Sequence, residues 1–173
     1  MDILETVTVG PSGATSIIFS EIPDAYTDLF IVMSLRTTGA IATARANFNG
    51  TSTGFSIRRV QGDGSTTATV VNPPNCVGFI TGSTDTANTF GTSQLLVANY
   101  RSNRNKPYLA EGVTENNGTT AAQTLVGGVW ANTSPITSIE IYPDVAAGTL
   151  LAQYSSASLY GITAGSDGIV GVA

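Results

Sequence analysis

The sequence predicts an all-β chain, folded as a two-sheet antiparallel β-sandwich of jelly-roll-like form with about ten strands. Three observations carry that expectation. Apolar and polar residues alternate at period two along most of the chain. Gly, Pro, Asn and Ser clusters break the alternation at intervals of roughly 10 to 15 residues, the spacing of strands joined by turns. No stretch repeats apolar residues at helical period, and the Ala-rich residues 120–125 are too short to hold a helix.

The strands follow in order. Ile3 to Val9 alternates until Gly10-Pro11-Ser12-Gly13 ends it, and Ser16 to Ile22 runs into the turn Pro23-Asp24-Ala25-Tyr26-Thr27-Asp28. Leu29 to Leu35 is the most continuously apolar run, which predicts a central strand buried on both faces. Ala44–Asn49 and Phe55–Val60 flank an Asn49-Gly50 pair that suits positive φ, so a hairpin-like connection is expected between them. Residues 62–74 suggest a long loop, with an edge strand near Thr67–Val71. The remaining strands are placed at Val77–Thr81, Thr92–Tyr100, Pro107–Thr114, Thr124–Ala131, Ile136–Tyr142 and Leu150–Ile162. The expected organisation is one sandwich domain over residues 1–173, with extended segments at 1–13 and 163–173.

Composition narrows the function. Charged residues are 11% of the chain, against about 25% in ordinary globular domains. Thr, Ser, Asn, Gly and Ala take the surface positions that Lys and Glu usually fill. With 42% hydrophobic residues the chain can bury a core. A net charge of −5 and only seven basic residues leave no footprint for nucleic acid. The basic groupings Arg58-Arg59 and Arg101, Arg104, Lys106 are expected to be solvated or ion-paired. Met1–Glu5 has no basic region leading into an apolar stretch, and no run of about 18 apolar residues occurs, so neither a cleaved signal nor a membrane span is expected.

The chemistry-bearing residues point away from catalysis. There is no His, which removes Ser/His/Asp and Cys/His machinery and the commonest ligand of catalytic zinc. Cys76, the sole cysteine, is expected to be a buried structural thiol. Glu111 and Glu115 form the best carboxylate pair for glycoside chemistry, but ordinary surface carboxylates beside the turn-like Asn116-Asn117-Gly118 explain them far better. Asp63, Asp144 and Asp167 lie near glycines without calcium-loop spacing and suit turns. Gly127-Gly128 lacks the strand-to-helix setting of a phosphate loop and suggests a bulge or a close approach. Trp130, Tyr100, Tyr108, Tyr142, Tyr154 and Tyr160 would stack on sugars if they shared a groove, though strand aromatics more often fill cores. No catalytic, cofactor-binding or metal-binding residues are assigned.

Five stretches taken together carry a resemblance: Ile22-Pro23-Asp24-Ala25-Tyr26-Thr27-Asp28-Leu29, Arg36-Thr37-Thr38, Phe48-Asn49-Gly50, Trp130 to Ile139, and Gln153-Tyr154-Ser155 to Ser158-Leu159-Tyr160-Gly161-Ile162. In this order and spacing the chain resembles small virion structural proteins of tailed bacteriophages, described as capsid decoration (cement) proteins or tail-fibre domains. The resemblance implies a β-sandwich that forms homo-oligomers on the particle, with no cofactor and no catalysis. The first expectation is a decoration protein that binds major capsid protein and reinforces the shell of a virion assembled in the bacterial host cytoplasm. The second is a fibre domain that recognises host-surface glycan. A trimer is the expected oligomer, from the resemblance and the low charge. The expected contact residues are Ile3, Val7 and Val9 on a terminal edge strand, and Ile169, Val170 and Val172 in the C-terminal segment.

Overall fold

Period-two alternation becomes twelve strands and no helix among the residues that the computed structural model describes, which are 1–71, 73–118, 121–144 and 148–163. They are β1 (Asp2–Thr8), β2 (Ile17–Phe19), β3 (Asp28–Leu35), β4 (Ala42–Phe48), β5 (Phe55–Gly62), β6 (Thr67–Val70), β7 (Cys76–Ile80), β8 (Gly91–Val97), β9 (Lys106–Val113), β10 (Gln123–Trp130), β11 (Ile139–Asp144) and β12 (Ser156–Ile162). An eight-stranded sheet in the order β1-β12-β3-β8-β9-β10-β5-β6 faces a four-stranded sheet in the order β2-β11-β4-β7.

The pairing shows why this is a jelly roll. β1 pairs β12, β2 pairs β11, β3 pairs β8 and β4 pairs β7, all antiparallel. This nested set is one long hairpin rolled so that successive rungs fall on alternate sheets. The strands outside the nest, β5-β6 and β9-β10, all join the β8 side and lengthen the first sheet to eight strands.

The core lies between the sheets and uses alternate residues of each strand. Leu29, Ile31, Met33 and Leu35 of β3 face Phe19, Ala44, Ala46, Phe48, Ile139 and Ile141 of the smaller sheet. Small residues on β4 let the sheets approach, while Phe48 anchors an aromatic group with Phe55, Tyr108 and Trp130 at centroid distances of 5.2, 6.0 and 5.6 Å. Trp130 is buried, and its Nε1 donates to the Thr53 carbonyl at 3.2 Å. Cys76 is a free thiol buried at the start of β7.

Four expectations need correction. β3 is buried on one face only: Val32 is 39% exposed, because among the described residues no layer covers the outside of the large sheet. The Asn49–Gly54 connection is no hairpin, since β4 belongs to the small sheet and β5 to the large one. Asn49 and Gly50 do take positive φ, 51° and 72°, but they turn the chain across the sandwich. The eleventh strand starts at Ile139, because the preceding residues are tied to the Asn49 side chain. The last strand starts at Ser156, since Leu151 makes only isolated bridges to Ala14 and Thr37 before a turn at Tyr154.

Candidate functional site: the open face of the large sheet

The outer face of the eight-stranded sheet is the most unusual surface of the molecule. Register places Ile3 beside Tyr160, then Phe30, Leu96, Leu109, the bare backbone of Gly127, and Arg58 at the far side. The next row along the strands runs Ser158, Val32, Gln94, Glu111, Leu125 and Val60. Ile3 is 60% exposed, Leu109 59%, Leu125 58% and Val60 54%. Strand positions of this kind ordinarily carry polar residues when they face water.

Two shallow grooves cross this face. One, of about 540 Å³, lies over Val32, Gln94, Glu111, Leu125 and Val60. The other, of about 690 Å³, lies over Leu96, Leu109, Gly127, Val129 and Arg58. A Cβ placed on Gly127 would meet nothing within 4 Å, so this glycine leaves a dent in the apolar row.

Charge on the face is sparse and partly neutralised. Gln94 donates to the Glu111 carboxylate from the neighbouring strand, so that carboxylate is already engaged. Arg58 donates from Nη1 to its neighbour's carbonyl, Ile57, at 2.8 Å. Asp28 at one margin accepts from the Asn99 amide at 2.7 Å. The grooves therefore offer apolar contact and amide or hydroxyl hydrogen bonds, without a constellation for proton transfer or metal binding. No group of three or more His, Cys, Asp or Glu gathers among the described residues.

The expected contact residues separate. Ile3 lies on the open face opposite Tyr160, but Val7 is half-buried opposite Ala157 and Val9 is buried. A register shift between Ile3 and Glu5 is the cause: the extra residue Leu4 moves the later side chains to the other face. Val9 is therefore a core residue, not an interface residue. Its amide donates to Ser155 O at 2.8 Å and its carbonyl accepts from Tyr154 at 3.0 Å. Ile169, Val170, Val172 and Asp167 lie outside the described residues.

The basic groupings depart from expectation as well. Arg58 is exposed, but Arg59 points into the sandwich and is 6% exposed. Lys106 is buried, and its Nζ donates to the carbonyls of Ser102, Arg104 and Asn132 at 2.8, 2.5 and 3.1 Å, pinning two loops. Burial pulls its pKa below the usual lysine value. Neither is solvated or paired with a carboxylate among the described residues. Asp63 is a turn aspartate whose Oδ1 accepts from the Ser65 and Thr66 amides at 3.0 and 2.7 Å, which holds its carboxyl far below the ordinary range. Asp144 pairs with Arg45 at 3.1 Å.

Glu111 sits on the open face, while Glu115 follows β9, and its backbone amide donates to Thr81 Oγ1. Gly128 is a close approach, filled by the Tyr108 ring, with regular pairing on both sides and no bulge. Tyr100, Tyr108 and Trp130 are core, and Tyr154, at 68% exposed, is the one well-exposed aromatic among the described residues.

The open-face residues Leu96, Leu109, Leu125 and Val129 were not singled out from sequence. Their signal was present: Leu95-Leu96-Val97 and Leu125-Val126 put apolar residues on both faces of a strand, one more layer than the sandwich fills. No family model matches the chain, and no curated protein or solved structure is found to be similar to it.

Proposed function

We propose that this chain is a non-enzymatic structural protein of a bacteriophage virion, and specifically a capsid decoration protein that binds major capsid protein and its own copies through the open sheet face. The single observation that carries the reading is that face: apolar residues on seven neighbouring strands, from Ile3 of β1 to Val60 of β5, with Ser158, Gln94, Glu111 and Arg58 as the polar members of the same rows, and uncovered among the described residues. Contiguous exposed apolar surface of this extent marks a protein–protein contact. Low charge lowers the desolvation cost of each contact, which suits dense packing on a shell.

The glycan-binding reading is weaker. Of the aromatics expected to form a stacking platform, Tyr100, Tyr108 and Trp130 are consumed by the core, and among the described residues one, Tyr160, lies on the open face, half-buried beside Phe30 at 6.4 Å.

The deciding experiment is quantitative mass spectrometry of purified particles. A copy number comparable with that of the major capsid protein supports decoration. A copy number far below it assigns the chain to a fibre, and absence from the particle overturns the proposal.

A further inference from the structure

Arg59 is a buried cation with no counter-charge. It sits on the inner face of β5 at 6% exposed. Its Nη1 reaches only two weak acceptors, Thr43 Oγ1 at 3.4 Å and Cys76 Sγ at 3.3 Å, and its Cζ lies 5.4 Å from the Phe79 ring centroid. Its Nε has no acceptor, and no carboxylate pairs with it among the described residues. A guanidinium cannot shed its charge as a buried lysine can, so burial without an anionic partner carries a desolvation cost that two weak hydrogen bonds and the Phe79 ring offset only in part.

Two further buried atoms without partners lie beside it. Gln61 is the next residue of β5 on the same face, and Thr124 of β10 stands directly opposite Gln61 in register. Gln61 Oε1, Thr124 Oγ1 and Arg59 Nε are all the buried side-chain polar atoms lacking a hydrogen-bond partner among the described residues, and they fall in one patch. Isolated orphans are common, but a cluster of them around one charge points to something bound.

We propose that this patch binds a small monovalent inorganic anion of the halide class, held by Arg59 Nε–H, the Thr124 hydroxyl and the Gln61 amide. The occupant is an anion because a water would satisfy the hydrogen bonds and leave the charge unbalanced. It is monovalent because one cation faces it. It is small because its three donors come from neighbouring positions of two paired strands: Gln61 lies opposite Thr124 and two residues from Arg59. The Gln61 amide serves as a donor after a half-turn that exchanges its oxygen and nitrogen.

The test uses the intact chain and chloride or bromide as the probe. The melting temperature is measured as sodium gluconate is replaced by sodium chloride at constant ionic strength. The expected result is a rise of about 3–6 °C at tenfold the dissociation constant that continues with the logarithm of chloride concentration. The rise should vanish in Thr124→Val, which keeps the shape of the site and removes its hydroxyl, and in Arg59→Met. If Arg59→Met does not fold, Thr124→Val and Gln61→Met decide. Crystals soaked in sodium bromide should show an anomalous peak beside Arg59 Nε. A water at that position, or the same chloride response in wild type and Thr124→Val, overturns the proposal.

Discussion

Asn49 Oδ1 accepts a hydrogen bond from the Thr137 amide at 2.8 Å, across 88 residues of chain. The same oxygen accepts from the Ser138 amide at 3.2 Å, while Nδ2 donates to the Pro135 carbonyl at 2.8 Å. One side chain at the end of β4 thus sets the entry to β11, and two of the stretches that carry the phage resemblance are in contact with each other. Asn49→Ala loses these three bonds and a fourth, from Thr137 Oγ1 at 3.3 Å, and places alanine at a φ of 51°. The site is solvent-exposed, so the expected loss is about 1–2 kcal/mol in urea unfolding. Asn49→Asp keeps the acceptor and should lose less.

Gly127 and Gly128 are adjacent in β10 but face opposite environments, which makes them a matched pair. A Cβ on Gly128 would lie 2.2 Å from Cζ of Tyr108, so Gly128→Ala forces the ring from the core and should cost about 1–3 kcal/mol. A Cβ on Gly127 points into the open groove, so Gly127→Ala should be neutral or stabilising by up to about 1 kcal/mol through the unfolded chain. Equal effects of the two substitutions in thermal unfolding would contradict the register of β9, β10 and β5.

Much of this architecture was legible in the sequence, because strand alternation is imposed by the backbone and needs no tertiary information. What stayed hidden depended on distant partners. An Asn-Gly pair at positive φ serves a hairpin or a crossing between sheets equally well, and the choice at Asn49-Gly50 rests on Thr137 and Pro135 far along the chain. The bulge at Leu4 has no local signal, yet it moved Val9 into the core. At Arg59 two readings conflicted: charge favoured water, and period two from Ile57 favoured the interior. The period prevailed, because the inner face of β5 turns toward β4 and β7, where Arg59 meets Thr43, Cys76 and Phe79. The open face was visible as apolar doublets, but strand order was needed to align them into one surface.

Tyr108 links stability to alkaline pH. Its ring is buried against Gly128, and desolvation, reinforced by Cys76, raises its phenol pKa well above the usual value of 10.0. A raised pKa contributes stability that is complete below the unfolded value and is lost as pH climbs from there toward the folded value. The native state should therefore weaken above about pH 10, by roughly 1.4 kcal/mol for each further pH unit. Tyr100 is raised in the same direction by burial and adds to the loss. Urea midpoints at pH 9 and pH 11 should differ less for Tyr108→Phe than for wild type; an identical decline in both would mean that the phenol ionises freely.

The open face gives the prediction on which the proposed function depends. Leu109 and Leu125 lie on neighbouring strands β9 and β10 with their side chains outward, and both are more than half exposed. Because they already stand in water, replacing them by aspartate removes little packing, and the isolated chain should lose about 1–2 kcal/mol, chiefly from strand propensity and from the new carboxylate of Leu125→Asp facing Glu111. A partner that covers the face would meet two buried carboxylates there, and each unpaired charge costs several kcal/mol. The arithmetic separates folding from assembly. Leu109→Asp with Leu125→Asp should lower the melting temperature of the chain by only a few degrees, while reducing association with shells or with other copies by at least a hundredfold, equivalent to about 2.8 kcal/mol. Sedimentation of the variant with purified shells, and light scattering of the chain alone, read the two associations separately. If the variant associates as tightly as wild type in both, the open face is not the contact surface, and the edges β1 and β6 become the places to look.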